Sequence, residues 1–205
     1  MSWQHSKRDL LMEEANNIGF FERYEKETTE PYAIKVLSRS FDSKFNEYMS
    51  PFDTDNFDYI SRDGQSALEV TVAISQNEKE AYTFEKLAAK GKKKLDETKV
   101  KELVLNDNSE IRSYYGGTIA EIKKIIRCRI DEKQYKALKR LNNNPVNKLD
   151  LCVLINDGGI LDKTSFEWYF DDLNKYVFNN IFFVTPSCFV CYKKNIGFKE
   201  YSLIK

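Results

Sequence analysis

Two hydrophobic periods alternate along the chain. Between Asn56 and Ser75 the order NFDYISRDGQSALEVTVAIS gives an apolar run, a turn at Arg62-Asp63-Gly64, and a second run from Leu68 to Ile74. An Asp-Gly pair between β-branched and aromatic runs predicts a hairpin, here with a loop longer than two residues. Side chains alternate along a strand, so Glu69, Thr71 and Ala73 share one face while Leu68, Val70, Val72 and Ile74 share the other. Two carboxylates, Asp58 and Glu69, therefore fall on neighbouring strands.

Upstream, Leu10, Leu11, Ala15, Ile18 and Phe21 recur at helical spacing and predict a helix over 6–23, weakened or ended by Gly19. Glu14 borders that stripe, either as a solvated boundary carboxylate or as one that reaches a site. Residues 32–40 alternate and predict a first strand, with Pro31 marking its start. A short helical or irregular link follows over 41–48, then a turn-rich connector over 50–56. Asp53 and Asp55 in that connector resemble the opening of a calcium loop, but the required Gly and closing Glu are missing.

After the hairpin, 77–101 carries a partial helical stripe and a lysine cluster, Lys90, Lys92, Lys93 and Lys94. Such a run is either a solvated helix end or a phosphate-contacting patch. Residues 107–117 read as a loop in which Tyr114 and Tyr115 sit beside Arg112. Thr118 and Glu121 then form a capping box. The strongest helical pattern spans 118–141, with Ile119, Ile122, Ile126, Ile130, Ala137 and Leu141 in one stripe. Lys133 interrupts that stripe, so its ammonium must either snorkel outward or meet a carboxylate. The opposite face is basic, with Lys123, Lys124, Arg127, Lys136, Lys139 and Arg140, and Arg129 stands at the border.

The run LDLCVLIN over 149–156 predicts a central strand buried on both faces. A helix is expected over 164–174, where Phe166, Trp168, Tyr169, Phe170 and Leu173 serve either as core or as a partner-binding face. A buried strand follows over 180–185, Pro186 stops it, and 188–193 returns as a last strand of edge character. The whole order predicts an α/β or α+β domain with a mixed central sheet.

A chain of 205 residues suits a single domain, and 41% hydrophobic with 31% charged residues suits a soluble globular one. Formal net charge is zero, so any attraction for a polyanion must come from local clusters. MSWQHSKRDLL lacks an apolar core long enough for a signal peptide and no stretch approaches a membrane span, so the expected setting is cytoplasmic, away from membranes. Cys128, Cys152, Cys188 and Cys191 read as structural thiols. Cys188 and Cys191 have metal-knuckle spacing, yet a strand would turn them to opposite faces and the chain's single His, His5, is remote in sequence.

A leading helix with a Glu, a strand ending in Asp, a turn, a strand bearing Glu-x-Lys or a variant, and a helix flanking further core strands is the layout of the PD-(D/E)XK nuclease superfamily. This sequence resembles it in Asp58, in Glu69-Val70-Thr71, and in the Lys-bearing helix followed by LDLCVLIND. The resemblance spans about 6–193, within a single domain over 1–205, with 77–117 as a helical insertion. Phe57 stands where the motif has Pro, and Thr71 where it has Lys. In such families a neighbouring helix can supply the lost Lys, which singles out Lys133.

The resemblance implies a mixed sheet flanked by helices, restriction-endonuclease-like, and a metal-dependent nuclease acting on DNA ahead of RNA. Asp58, Glu69 and the Val70 carbonyl would bind Mg²⁺ or Mn²⁺. Lys133 would orient the water or stabilise developing charge, Thr71 would hold a metal-bound water, and Glu14 would position the metal or Lys133. The basic helix and Lys90–Lys94 would track the nucleic-acid backbone. Phage defence, repair or mobile-element biology is the corresponding setting by analogy. The alternative is a catalytically degenerate module of the same fold that binds nucleic acid, a protein partner or a second copy as a homodimer. A small toxin or immunity protein that docks through the aromatic helix is a third reading.

Overall fold

The computed structural model describes residues 26–51, 56–74, 119–155 and 161–203. Five of the sequence expectations lie outside these residues: the helix bearing Glu14, the Asp53 and Asp55 connector, the insertion with Lys90–Lys94, the Tyr114-Tyr115 loop, and the Thr118 N-cap of the capping box.

The described chain is an α/β fold with one seven-stranded mixed sheet flanked by helices. It opens on α1 (Lys26–Ser40), a short 3-10 helix (Ser43–Glu47) and β1 (Tyr48–Met49). The hairpin follows as β2 (Tyr59–Ser61) and β3 (Ser66–Ala73), then the long α2 (Ile119–Asn143) and β4 (Lys148–Ile155). Next come α3 (Lys163–Tyr169), a 3-10 turn (Leu173–Lys175), β5 (Asn180–Val184), β6 (Phe189–Lys193) and β7 (Gly197–Tyr201). Spatial order equals chain order: β1, β2 and β3 pair antiparallel, β3, β4 and β5 parallel, and β5, β6 and β7 antiparallel. Both parallel steps carry their helix on the same face, as successive crossovers of one hand require.

Alternation along the strands divides the core in two. Leu151, Val153, Ile181 and Phe183 point toward α2 and α3, while Cys152, Leu154, Phe182 and Val184 point toward α1. On the first face Phe183 stacks on Phe166 and Phe170, with ring centroids 4.6 and 5.6 Å away. β4 lies centrally and is buried from Leu149 to Ile155, as its continuous apolar run predicts. Its one acidic member, Asp150, faces the α1 side and clamps β5. Its Oδ1 accepts from the Asn180 backbone N–H at 3.1 Å and from Asn180 Nδ2 at 2.9 Å, and Lys148 Nζ stands 2.9 Å from Oδ2.

Several expectations are corrected. Residues 32–40 are helical, not a strand, because Ala33, Val36 and Leu37 bury one side of a helix while Lys35 and Arg39 stay outside. Packing of that side on Leu68 and Val70 outweighs the strand preference of its β-branched residues, and the helix accommodates Pro31. The link over 41–48 ends in β1, which pairs with β2 through Tyr48 and Ser61. The helix expected over 164–174 stops at Tyr169, and Trp168 is 81% exposed, so that residue is not core. The strand at β6 is not an edge, since β7 covers it through a tight turn with Asn195 at φ 64° and Gly197 at φ 103°. Those positive angles suit Asn and Gly. Cys188 and Cys191 join opposite core faces as free thiols, which the strand period predicts.

Replacing Phe183 with Ala removes the centre of the aromatic stack and should cost about 3–5 kcal/mol in urea unfolding; a loss below about 1 kcal/mol would contradict the packing of α3 on β5.

Candidate active site

The hairpin delivers the first two side chains. Its turn is closed by Gly64 N–H to the Ser61 carbonyl at 2.8 Å, with Gly64 at φ 70°, and Asp63 Oδ1 accepts from Ser61 Oγ at 2.6 Å and Gln65 N–H at 3.0 Å. That turn sets the register Tyr59 opposite Leu68. The β2–β3 ladder ends there, leaving the next edge of β3 unpaired by β2. Asp58 substitutes for the missing strand: the Val70 N–H donates to Asp58 Oδ2 at 2.8 Å. A strand residue turns its N–H and C=O to the same side, so the Val70 carbonyl faces the Asp58 side as well.

The third and fourth side chains come from α2. Ile126, Ile130, Lys133, Ala137 and Arg140 advance by steps of four and three, so Lys133 and Arg140 follow the buried stripe across β3. The residues meeting that stripe are small: Ala137 on the helix, and Ala67 and Ala73 flanking Glu69 and Thr71 on β3. The helix can therefore lie close enough for two long cationic side chains to fold over Glu69.

Lys133 Nζ donates to Asp58 Oδ2 at 2.5 Å and to Glu69 Oε2 at 2.6 Å, and Arg140 Nη1 donates to Glu69 Oε1. Glu69 is wholly buried and Asp58 is 6% exposed, while the Lys133 and Arg140 side chains are 14% and 16% exposed. Two buried anions thus meet two nearly buried cations, and the formal charge of the group is zero. Burial opposes ionisation of Asp58, but the Lys133 charge and the hydrogen bonds from Lys133 and Val70 outweigh it and hold the carboxyl below its ordinary value. Glu69, more deeply buried and beside the Asp58 carboxylate, is pushed upward despite Lys133. Burial would weaken the Lys133 cation, yet the Glu69 and Asp58 charges raise its pKa.

Of the residues singled out by sequence, the structure gathers Asp58, Glu69 and Lys133 and leaves Thr71 half-buried, two residues beyond Glu69 on the same face. Glu14 lies outside the described residues. Arg140 was expected on the outward basic face and instead joins the cluster; its seven-residue offset from Lys133 is the signal that could have found it. Arg127 also leaves that face, binding Asp172 at 2.7 Å and the Tyr169 carbonyl at 2.9 Å to dock α2 on the α3 segment. Lys124, Lys136 and Lys139 remain exposed. On α1, Glu30 is 8% exposed and lies near Tyr59, whose hydroxyl pKa is pushed up to about 12 by burial and by the Glu30 and Asp58 charges.

Asp58 Oδ2 and Glu69 Oε2 converge within 2.6 Å of one nitrogen. Two convergent carboxylates with a carbonyl alongside form the hard-oxygen set that Mg²⁺ or Mn²⁺ accepts, with waters completing the shell. The donors fit such an ion, which would share oxygens now held by Lys133. Among the described residues no cluster of three or more His, Cys, Asp or Glu ligands occurs. Comparison with protein-family profiles, curated proteins and solved structures gives no match.

Removing the Lys133 charge by Lys133→Met would leave two buried carboxylates facing each other. Such a change should destabilise the fold by about 3 kcal/mol in urea unfolding, and a neutral result would contradict the ion cluster. Because the native Asp58 pKa is depressed, its stabilising contribution is present above the unfolded value near 3.8 and is lost as pH falls through the native value. Glu69 has the opposite sign, and between about pH 5 and about pH 2.5 the urea midpoint should fall further in wild type than in Asp58→Asn. Equal declines would remove Asp58 as a source of acid sensitivity.

Proposed function

We propose that the chain is a metal-dependent nuclease of restriction-endonuclease-like arrangement, hydrolysing phosphodiester bonds in DNA ahead of RNA. One observation carries the reading. The motif position at Thr71 lacks a cation, and Lys133 supplies one within 2.6 Å of both carboxylates. The order of a leading helix, an Asp-bearing and a Glu-bearing hairpin strand, a Lys-bearing helix and a buried parallel strand supports the same layout.

Asp58, Glu69 and the Val70 carbonyl would hold Mg²⁺ or Mn²⁺, whose chemistry is to activate water and offset charge at the phosphate. Lys133 then offers a charge-assisted hydrogen bond to a non-bridging phosphate oxygen, and the Arg140 fork orients Glu69 or a second phosphate oxygen. Thr71 supplies a hydroxyl on the same face. Lys124, Lys136 and Lys139 on the outer side of α2 would follow the backbone. A cytoplasmic role in defence or repair suits such an activity.

A second reading has its own observation. The four described groups balance in charge without a metal, as in a degenerate site retained for binding nucleic acid or a protein partner. Cleavage of plasmid DNA, oligonucleotides and RNA with Mg²⁺ or Mn²⁺ decides between them. Activity should fall by at least about a hundredfold in Asp58→Ala, Glu69→Ala and Lys133→Ala. Purified protein that cuts none of these substrates with either ion would reject the nuclease and favour the binding module.

A further inference from the structure

We infer that Lys133 and Arg140 form a phosphate-operated latch on the carboxylate pair, so that a divalent cation and a phosphate group enter the site cooperatively. The inference rests on the nuclease reading and specifies how that site is regulated. Both oxygens of Glu69 are engaged, one by Lys133 and one by Arg140, and Asp58 Oδ2 accepts from both Lys133 and the Val70 N–H. The oxygens that converge between the two carboxylates, Asp58 Oδ2 and Glu69 Oε2, are held by Lys133, and the second Glu69 oxygen by Arg140.

Charge makes the same argument. The four groups sum to zero at a position where none is more than 16% exposed. Adding a divalent ion alone would bring two positive charges to these poorly solvated groups, which is unfavourable. A phosphate group removes the conflict in two ways. It brings the missing negative charge, and its oxygens are alternative acceptors for the Lys133 ammonium and the Arg140 fork. Each cation that turns to phosphate frees carboxylate lone pairs for the metal. By linkage, the metal must then tighten phosphate binding by the same factor.

Thymidine 3′,5′-bisphosphate tests this without turnover, because it has phosphates on both sides of the sugar but no internal phosphodiester. Calorimetric titration of Mn²⁺ into the full chain, blank-corrected for Mn²⁺ binding to the nucleotide, should show at least about tenfold tighter binding with the bisphosphate than with thymidine. Arg140→Gln should bind Mn²⁺ more tightly than wild type when no phosphate is present, and should show weaker coupling. Arg140→Lys retains the charge and should retain the coupling, while far-UV circular dichroism confirms that both variants are folded. Equal Mn²⁺ affinity with bisphosphate and with thymidine, or no binding of either ligand, overturns the latch. Coupling without cleavage of any nucleic acid would instead keep the latch and reject the nuclease.

Discussion

The arrangement depends on one ammonium shared by two buried carboxylates. Burying Glu69 completely and Asp58 almost completely would be severely unfavourable if each stood alone, since an unpaired buried charge costs several kcal/mol. Lys133 makes that burial tolerable, and Arg140 completes the neutralisation on the far side of Glu69. The rest of the local fold serves this contact. Small residues on β3 and α2 bring the helix down, the hairpin turn sets the height of Asp58, and the early end of the β2–β3 ladder leaves a backbone N–H for it to bind.

Buried ion clusters are poor devices for stability, because well-packed apolar side chains of similar volume do as well or better. The described fold has an apolar core on both faces of its sheet, and α2 contributes Ile122, Ile126, Ile130 and Ala137 to one of them. Docking of that helix already has other polar ties. Arg127 reaches Asp172, Tyr176 Oη donates to Asp131 at 2.7 Å, and the Val177 N–H donates to Gln134 at 2.9 Å. Such a cluster is expensive to bury and is not the sole polar tie of α2 to the sheet side.

The contrast with Asp150 sharpens this point. Asp150 is equally buried and its carboxyl is also pushed upward by burial, yet its partners are the adjacent β5 residue Asn180 and Lys148 on its own strand. Those contacts are local to two neighbouring strands and lock their register. The Asp58 cluster, by comparison, joins three separate segments where the β2–β3 ladder ends.

Much was legible in the chain itself. Strict alternation from Leu68 to Ile74 determined which face Glu69 occupies, the long apolar run determined that β4 is central, and the break in the α2 stripe at Lys133 announced an ammonium that must either snorkel outward or meet a carboxylate. Each of these is a periodic property, and period alone specifies the face of a strand or helix. Residues 32–40 show where that stops, because their pattern satisfies a strand locally and only packing against Leu68 and Val70 selects the helix. Arg140 shows the same limit at the site. Sequence placed it among the outward cations, whereas its side chain is long enough to bend across Ala137 to Glu69 once α2 lies on β3. Which cation completes the cluster depends on the distance between a helix and a strand remote in sequence, and only the tertiary fold sets that distance.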